Sequence, residues 1–509
     1  MDYFLYVRAA LDYIESHLED DIASADVARA AGFSLSHFHS VFRAAMGTPL
    51  ASYVRDRRLT HAAQRLSEAA EPIVDIALRY GFSGHEAFTR SFRRRFGCPP
   101  KVFRRERFPV DTGLVFPGLY GPMPPLKEEQ TMCKEIETGD GFAVLHGVPK
   151  VSYFNDPPET TPYPACLHAC LGYMGQDVPY GHLLCASGAA FRLMWNTAIW
   201  DGANVAILVM TEAPTEPLRR ALTASGRGMD LLCREGNDEG LYARSGGAPD
   251  VRRGGKEAFI ALIKQEINTG RPLIAFGIVG PPEPCVITGY RDGGETLLGW
   301  NFFQDMPEYQ GCIDKTEEGY FVRKDWYEHD YTIALLAIGE AGKSPEPRAM
   351  LKDTLDLAVA IMASRQVRDY AGGAAAFDAW AARLDDDTEF PENAPLAMLF
   401  ERLMCMTDAL TMIGEGRYYA HKWTEDMAKH FPEAAGPLSQ ASEKLKKAHD
   451  CAWEMWALLG GMGMGEKQAR NLARRDIRDK CISQIKKARQ LDQEAAQYLK
   501  KAAEQLSDC

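Results

Sequence analysis

Two short stretches hold the side chains best suited to recognition chemistry. One contains Ser36, His37, His39, Ser40 and Arg43; the other contains His85, Glu86, Thr89, Arg90, Arg93 and Arg94. Each is interleaved with two phenylalanines four residues apart, Phe38 and Phe42, then Phe88 and Phe92. Residues four apart share one face of a helix, so the rings bury and the polar side chains remain outside. That outward set suits the edges of DNA bases. Arg90 matches a bidentate contact to guanine, Glu86 accepts from cytosine, and Ser or Thr serves either role. Arg90, Arg93, Arg94, Arg95, Lys101, Arg104, Arg105 and Arg107 cluster on and after the second stretch, a footprint for phosphates. A different chemistry attaches to Cys166, whose thiol becomes a nucleophile only beside an imidazole that takes its proton.

The flanking residues say how the two polar sets are held. Val27-Ala-Arg-Ala-Ala-Gly32-Phe-Ser34 precedes the first, and Ile76-Ala-Leu-Arg-Tyr-Gly81-Phe-Ser83 precedes the second. In each, a short helix ends at a Gly that can turn left-handed, and a Ser two residues later caps the next helix. Met46-Gly47-Thr48-Pro49 and Phe96-Gly97-Cys-Pro-Pro100 close the two copies. This is a helix-turn-helix written twice. The pattern from Leu5 to Arg107 resembles the DNA-binding domain of the AraC/XylS family of bacterial regulators. The resemblance places base contacts at Ser36, His39 and Ser40 in the first copy, and at His85, Glu86, Thr89 and Arg90 in the second. Between the copies, Leu50 to Leu66 reads as a linker helix of roughly 25 Å. It would set two recognition helices about one duplex turn apart, roughly 34 Å.

Charge agrees locally. The chain carries net −12 over 509 residues, yet residues 72–108 hold nine basic side chains against three acidic ones. DNA contact is therefore expected at the N-terminal end, with an acidic body beyond it. No apolar run reaches the ~18 residues that cross a membrane, and twelve scattered cysteines without a CxxC pair fit reduced thiols in a bacterial cytoplasm. No metal or cofactor is implied.

Residues 109–140 read as a linker, rich in Pro and Gly and then acidic. Beyond it, 141–342 turns α+β, with strands expected at Phe142–His146, Val205–Met210, Pro272–Phe276, Cys285–Tyr290, Thr296–Trp300 and Thr332–Ile338. Helices are expected at Ala165–Met174, Ser187–Trp195 and Lys256–Asn268. The order resembles a papain-like fold of the BtrH/bacteriocin-leader-peptidase type, with Cys166 at a helix start. That resemblance requires a His opening the strand at Glu283–Tyr290, and Cys285 stands there instead. The domain thus reads as an inactive relative kept for a pocket lined by Tyr163, Cys166, Arg192, Trp195, Cys285, Trp300, Asn301 and Phe303. Arg192 interrupts an apolar segment, so it must pair with an internal carboxylate or face a ligand.

Residues 343–509 read as an α-helical bundle, with stops at Gly372-Gly373, Gly414-Glu-Gly416 and Gly460-Gly461 and a final helix from about Lys467 to Leu506. Its apolar stripe, broken by Asp492, suits packing within the bundle or against a second copy. The expected fold class is therefore multidomain: an all-α double helix-turn-helix domain at 1–108, an α+β papain-like domain, and the bundle. The function expected is a non-enzymatic transcription regulator acting on double-stranded DNA and RNA polymerase, with a small-molecule effector sensed by the C-terminal region. The alternative is a bifunctional protein with a working cysteine hydrolase or acyltransferase.

Overall fold

The computed structural model describes residues 10, 13–20, 22–30, 50–68, 71–82, 84–96, 99–106, 135–153, 158–236, 240–304, 313–329, 331–342 and 345–507. It divides into two compact units, Met1–Gln130 and Thr131–Cys509.

The first unit is helical: α1 (Ser24–Ala30), α2 (Leu50–Glu68), α3 (Ile73–Arg79), α4 (His85–Phe96) and α5 (Pro100–Glu106). Helix α2 serves two separate cores. Its start gives Leu50, Tyr53 and Val54 to a cluster with Ile14, Leu18 and Val27. Its end gives Leu59, Ala62, Ala63 and Leu66 to a cluster with Ile76, Phe88, Phe92 and Phe103. Between them Arg57, nearly buried, grips Glu15 at 2.6 and 2.8 Å, and His61 reaches the same carboxylate at 3.1 Å. A continuous helix of this length spans about 28 Å, which separates the two cores along one rod.

The second unit is built on a ten-stranded sheet. Its strands are β1 (Glu135–Gly139), β2 (Phe142–His146), β4 (Arg227–Arg234), β5 (Val251–Gly254), β6 (Leu273–Phe276), β7 (Pro284–Arg291), β8 (Thr296–Trp300), β9 (Asp314–Lys315), β10 (Phe321–Lys324) and β11 (Ala334–Ala341). Neighbours run β5-β4-β11-β6-β7-β8-β10-β9, with β2 also pairing β7 and β1 pairing β2. Among the described strands, only β4 and β5 pair in parallel. Seven consecutive buried residues in β7 mark the centre of the sheet. It is covered by α6 (Pro162–Tyr173) and by α10 (Lys256–Asn268), while α7 (Tyr180–Ala186), α8 (Glu216–Ala224) and α9 (Leu241–Arg244) fill the connections. A small sheet joins β3 (Met194–Asn196) to the hairpin β12 (Gln366–Val367) and β13 (Tyr370–Gly372). Helices α11 (Pro347–Ala363), α12 (Gly373–Asp385), α13 (Leu396–His430), α14 (Ala435–Leu459), α15 (Glu466–Ala473) and α16 (Arg475–Gln505) complete it.

Several expectations are corrected here. Glu135–Gly139 lies in the expected linker but pairs with β2 as a strand. The α+β region and the helical region are not separate bodies: Leu351, Ala420 and Leu499 share one core with Val286 and Leu335, and Leu193 and Trp195 lie in the core of the helices. Val205–Met210 forms short 3-10 turns rather than a strand. Ser187–Trp195 is not a helix, because Gly188 turns left-handed at φ +84° and Arg192 is extended before β3. Gly414 and Gly416 do not stop α13. A Cβ at Gly414 would stand 2.7 Å from the Trp456 ring, and one at Gly416 would stand 2.7 Å from the Ala190 carbonyl. They are contact points for close packing. The last helix is interrupted at Arg474, between α15 and α16.

Asp492, which breaks the apolar stripe of α16, is buried for a reason. Arg417 on α13 holds it through Nε at 2.9 Å and Nη2 at 2.5 Å, while Nη1 donates to the carbonyls of Ala190 and Arg192 at 2.9 Å each. Asp492→Ala would leave this guanidinium buried without its counterion, and the expected cost is about 3–5 kcal/mol. Glu443→Ala, which removes an exposed i,i+4 pair with Lys447, should leave stability nearly unchanged because solvent screens that pair. Urea denaturation of both variants measures the contrast; equal losses would remove the special role of the buried pair.

Candidate nucleic-acid interface and interior polar cluster

Helix α3 ends in a Schellman turn. The Phe82 N–H donates to Ala77 at 2.9 Å and the Gly81 N–H to Leu78 at 3.0 Å. Gly81 has φ +74°, a backbone angle that calls for glycine; a Cβ there would lie 2.6 Å from Nη1 at the movable end of Arg58. Helix α4 then buries Phe88 and Phe92, whose centroids lie 5.3 Å apart, with Phe103 of α5 against Phe92 at 5.3 Å. The opposite face exposes His85, Glu86, Arg90 and Arg93, and α5 exposes Lys101 and Arg105. Thr89 departs from the sequence reading: its hydroxyl is buried without a partner among the described residues, so it is turned into the domain. Ser36, His37, His39, Ser40 and Arg43 lie outside the described residues, as do the Ser34 and Ser83 caps and the side chain of Arg94.

In the second unit, Cys166 sits in α6 with no exposed surface, and burial pushes its thiol well above the usual cysteine value. Three of the unit's imidazoles have other partners. His168 Nδ1 lies 2.8 Å from the Val178 carbonyl, His329 Nδ1 2.8 Å from that of Gly277, and His146 lies between Glu137 and Glu318. Cys285 in β7 is also fully buried, its thiol pushed to about 12 mainly by desolvation. Asn301 staples a turn, accepting from the Phe303 N–H at 2.7 Å and donating to Val279. Tyr163 donates to Leu218, and Trp300 donates to Val148 while packing edge-on against Tyr320.

The eight residues expected to line one pocket are not all brought together. Tyr163, Cys166, Cys285 and Trp300 share one core cluster, whereas Trp195 belongs to another, between Trp200 at 5.5 Å and Trp380 at 5.9 Å. Phe303 lies edge-on to Tyr153 at 5.9 Å. Arg192, 1% exposed, donates to the carbonyls of Ala189 and Val205 at 2.8 and 3.1 Å, and its Nε has no partner. It therefore makes no direct carboxylate pair.

The sequence reading missed the acidic members of this region. Burial pushes the Glu283 carboxyl, next to β7, up to about 7, opposed by the charge of Arg192. Asp408 on α13 is likewise pushed to about 7 by desolvation, then by Glu283. Glu415 on the same helix accepts from the Thr161 hydroxyl at 2.7 Å and from Tyr180 at 2.8 Å, tying α13 to the start of α6. Asp408 had a readable signal: it is the lone charge in Leu403-Met-Cys-Met-Thr-Asp408-Ala-Leu-Thr-Met-Ile413. Among the described residues no cluster of three metal-liganding side chains occurs, and no helix is long and apolar enough to cross a membrane.

The repeated helix-turn-helix pattern with its polar, partly basic outer face defines a DNA-binding regulator module. A helix-turn-helix domain family matches residues 27–106. The multiple antibiotic resistance protein MarA of Escherichia coli is 33% identical over 111 residues, 22% of this chain and 87% of MarA. The transcriptional regulator YbfP of Bacillus subtilis is 41% identical over 104 residues; the match spans only 35% of YbfP. A solved AraC-type regulator from Chromobacterium violaceum is 28% identical and matches 20% of this chain and 93% of its own, with a TM-score of 0.20. The chain belongs to the AraC/MarA-type family of DNA-binding transcription regulators. These matches cover about a fifth of it, all at the N-terminal end.

The raised carboxyls predict a pH effect. Glu283 and Asp408 hold protons more tightly in the folded chain than in the unfolded one, where they titrate near 4. The penalty is absent below that value, grows as pH rises, and is complete above about 7. Glu283→Gln and Asp408→Asn should therefore each raise Tm above neutral pH, by about 2–4 °C, with little gain near pH 4. A gain that does not depend on pH would contradict this.

Proposed function

We propose that this regulator reads bases with Arg90, Glu86 and His85 and grips phosphates with Arg93, Arg94, Lys101 and Arg105, and that its second unit senses a small molecule without transforming it. The outward position of Arg90 beside the buried Phe88–Phe92 face supports the first part, because a guanidinium so placed can approach a guanine edge bidentately. In the first helix-turn-helix, Ser36, His37, His39, Ser40 and Arg43 take the corresponding roles by the family resemblance. RNA polymerase is the expected protein partner, with a second copy of the chain as the alternative.

The observation that carries ligand sensing is the interior set of Glu283, Asp408 and Arg192. These groups influence one another electrostatically, yet no hydrogen bond joins either carboxylate to the guanidinium. A ligand with polar groups of its own would offset their desolvation. Cys166 fits a wall residue of an inactive papain-like relative, since its thiol is held neutral and Cys285 occupies the strand where a base would stand.

Arg90→Ala in the full chain should weaken binding to a cognate site by roughly 1–3 kcal/mol and relax preference at one base pair. Arg105→Ala should weaken cognate and random DNA evenly and flatten the salt dependence. Titrations on both DNAs separate the two roles; an equal loss on both for Arg90→Ala would make it a phosphate contact. For the second unit, a ligand found by thermal-shift screening of metabolites and antibiotics should still act on Cys166→Ser. Turnover of an ester, thioester or peptide that vanishes in Cys166→Ser would make the protein bifunctional instead.

A further inference from the structure

Away from Cys166, the β4–β11 end of the sheet holds a cavity of about 270 Å³, near the lower end of small-molecule sites, ~300 Å³. Leu208, Leu241 and Ile333 give it an apolar wall, Tyr242 an aromatic one, and Arg234 and Arg244 its charge. No carboxylate is among the described residues that line it. The two arginines are held differently. Arg234 is fixed from behind: Nη1 donates to the His329 carbonyl at 2.9 Å, and the guanidinium lies 4.5 Å over the Tyr327 ring. Arg244, at the end of α9, has no ion pair or side-chain hydrogen bond among the described residues, and its Nε is shut off from solvent.

More positive charge surrounds the cavity. Arg253 stacks 4.5 Å over Tyr242, and Arg368 acts on Arg244 with the same sign of charge. Elsewhere in this unit, arginines meet carboxylates: Arg219 pairs with Asp250, Arg252 with Asp230, and Arg271 with Glu266. A buried N–H left without an acceptor is costly, and like charges beside it add to the cost. An oxyanion entering the cavity would relieve both at once, since guanidinium forks match carboxylates and phosphates.

We propose that this cavity binds a small organic molecule ending in an oxyanion, a carboxylate or a phosphate monoester, with Arg244 and Arg234 on the charge and Leu208, Leu241 and Ile333 against the apolar body. The site is separate from the interior set around Glu283, and it stands or falls without that reading. Its occupant has the opposite charge preference to a carboxylate-lined region.

Isothermal titration of the full chain with benzoate, phenyl phosphate and the neutral benzyl alcohol tests it, without DNA present. Saturable binding of at least one anion is expected, with benzyl alcohol at least about tenfold weaker. The anion that binds more tightly identifies the oxyanion type. Arg244→Gln should lose about tenfold or more in affinity, and Arg244→Lys, which keeps the charge but loses the fork, should fall between. Arg244 is partly exposed on a short helix, so circular dichroism of both variants should match that of the parent. No saturable binding of either anion, equal binding of benzyl alcohol, or unchanged affinity in Arg244→Gln would overturn the proposal. Because regulation is not the readout, failure here leaves sensing at Glu283 and Asp408 standing.

Discussion

The second unit depends on one buried ion pair, Arg417 with Asp492. Asp492 comes from α16, Arg417 from α13, and the remaining guanidinium donor bridges the carbonyls of Ala190 and Arg192, on either side of Phe191. Three segments distant in sequence are thus fixed by one planar group. Such a pair adds little net stability over an apolar contact, because desolvation offsets attraction. It does fix register: a helix shifted by one residue would bury the carboxylate without its partner. The close approach of Gly416 to the Ala190 carbonyl works at the same junction, where any side chain would push the two backbones apart.

That junction explains why the helical part and the sheet form one body. Arg192 hangs from the turn that Arg417 holds, and Asp408 and Glu415 lie on the helix that carries Arg417. The interior polar groups therefore depend on where α13 docks. Glu415 reaches the start of α6, near Cys166, from that same helix. A change that moved α13 would alter the surroundings of Arg192 and of the α6 N-terminus together.

In the first unit the constraint is the single rod α2, which enters two cores and carries the Arg57–Glu15 clasp between them. The outer face of α4 is fixed indirectly. Phe88 and Phe92 anchor it to the end of α2, and the left-handed turn at Gly81 redirects the chain between α3 and α4. Recognition side chains can then vary without disturbing the packing beneath them, since the two sets occupy opposite faces of one helix.

Sequence alone determined the features that rest on local rules. Residues four apart share a helix face, so the buried Phe88–Phe92 pair and the exposed Arg90 and Arg93 were legible, as were the left-handed turn at Gly81 and the apolar strands from Phe142 and Cys285. Where the cause was contact with a distant segment, reading failed. Gly414 and Gly416 read as helix stops because a glycine looks the same whether it ends a helix or admits a neighbouring ring. Asp492 read as a flaw in a stripe because its partner lies 75 residues away. Arg192 reads as a charge that interrupts an apolar segment; it is buried, but its acceptors are backbone carbonyls, which have no signature in a sequence. Asp408 stood out only as a lone charge in an apolar stretch, and Glu283 not at all: only folding brings a strand entry and a helix 125 residues later near one guanidinium, and only burial there raises their affinity for protons.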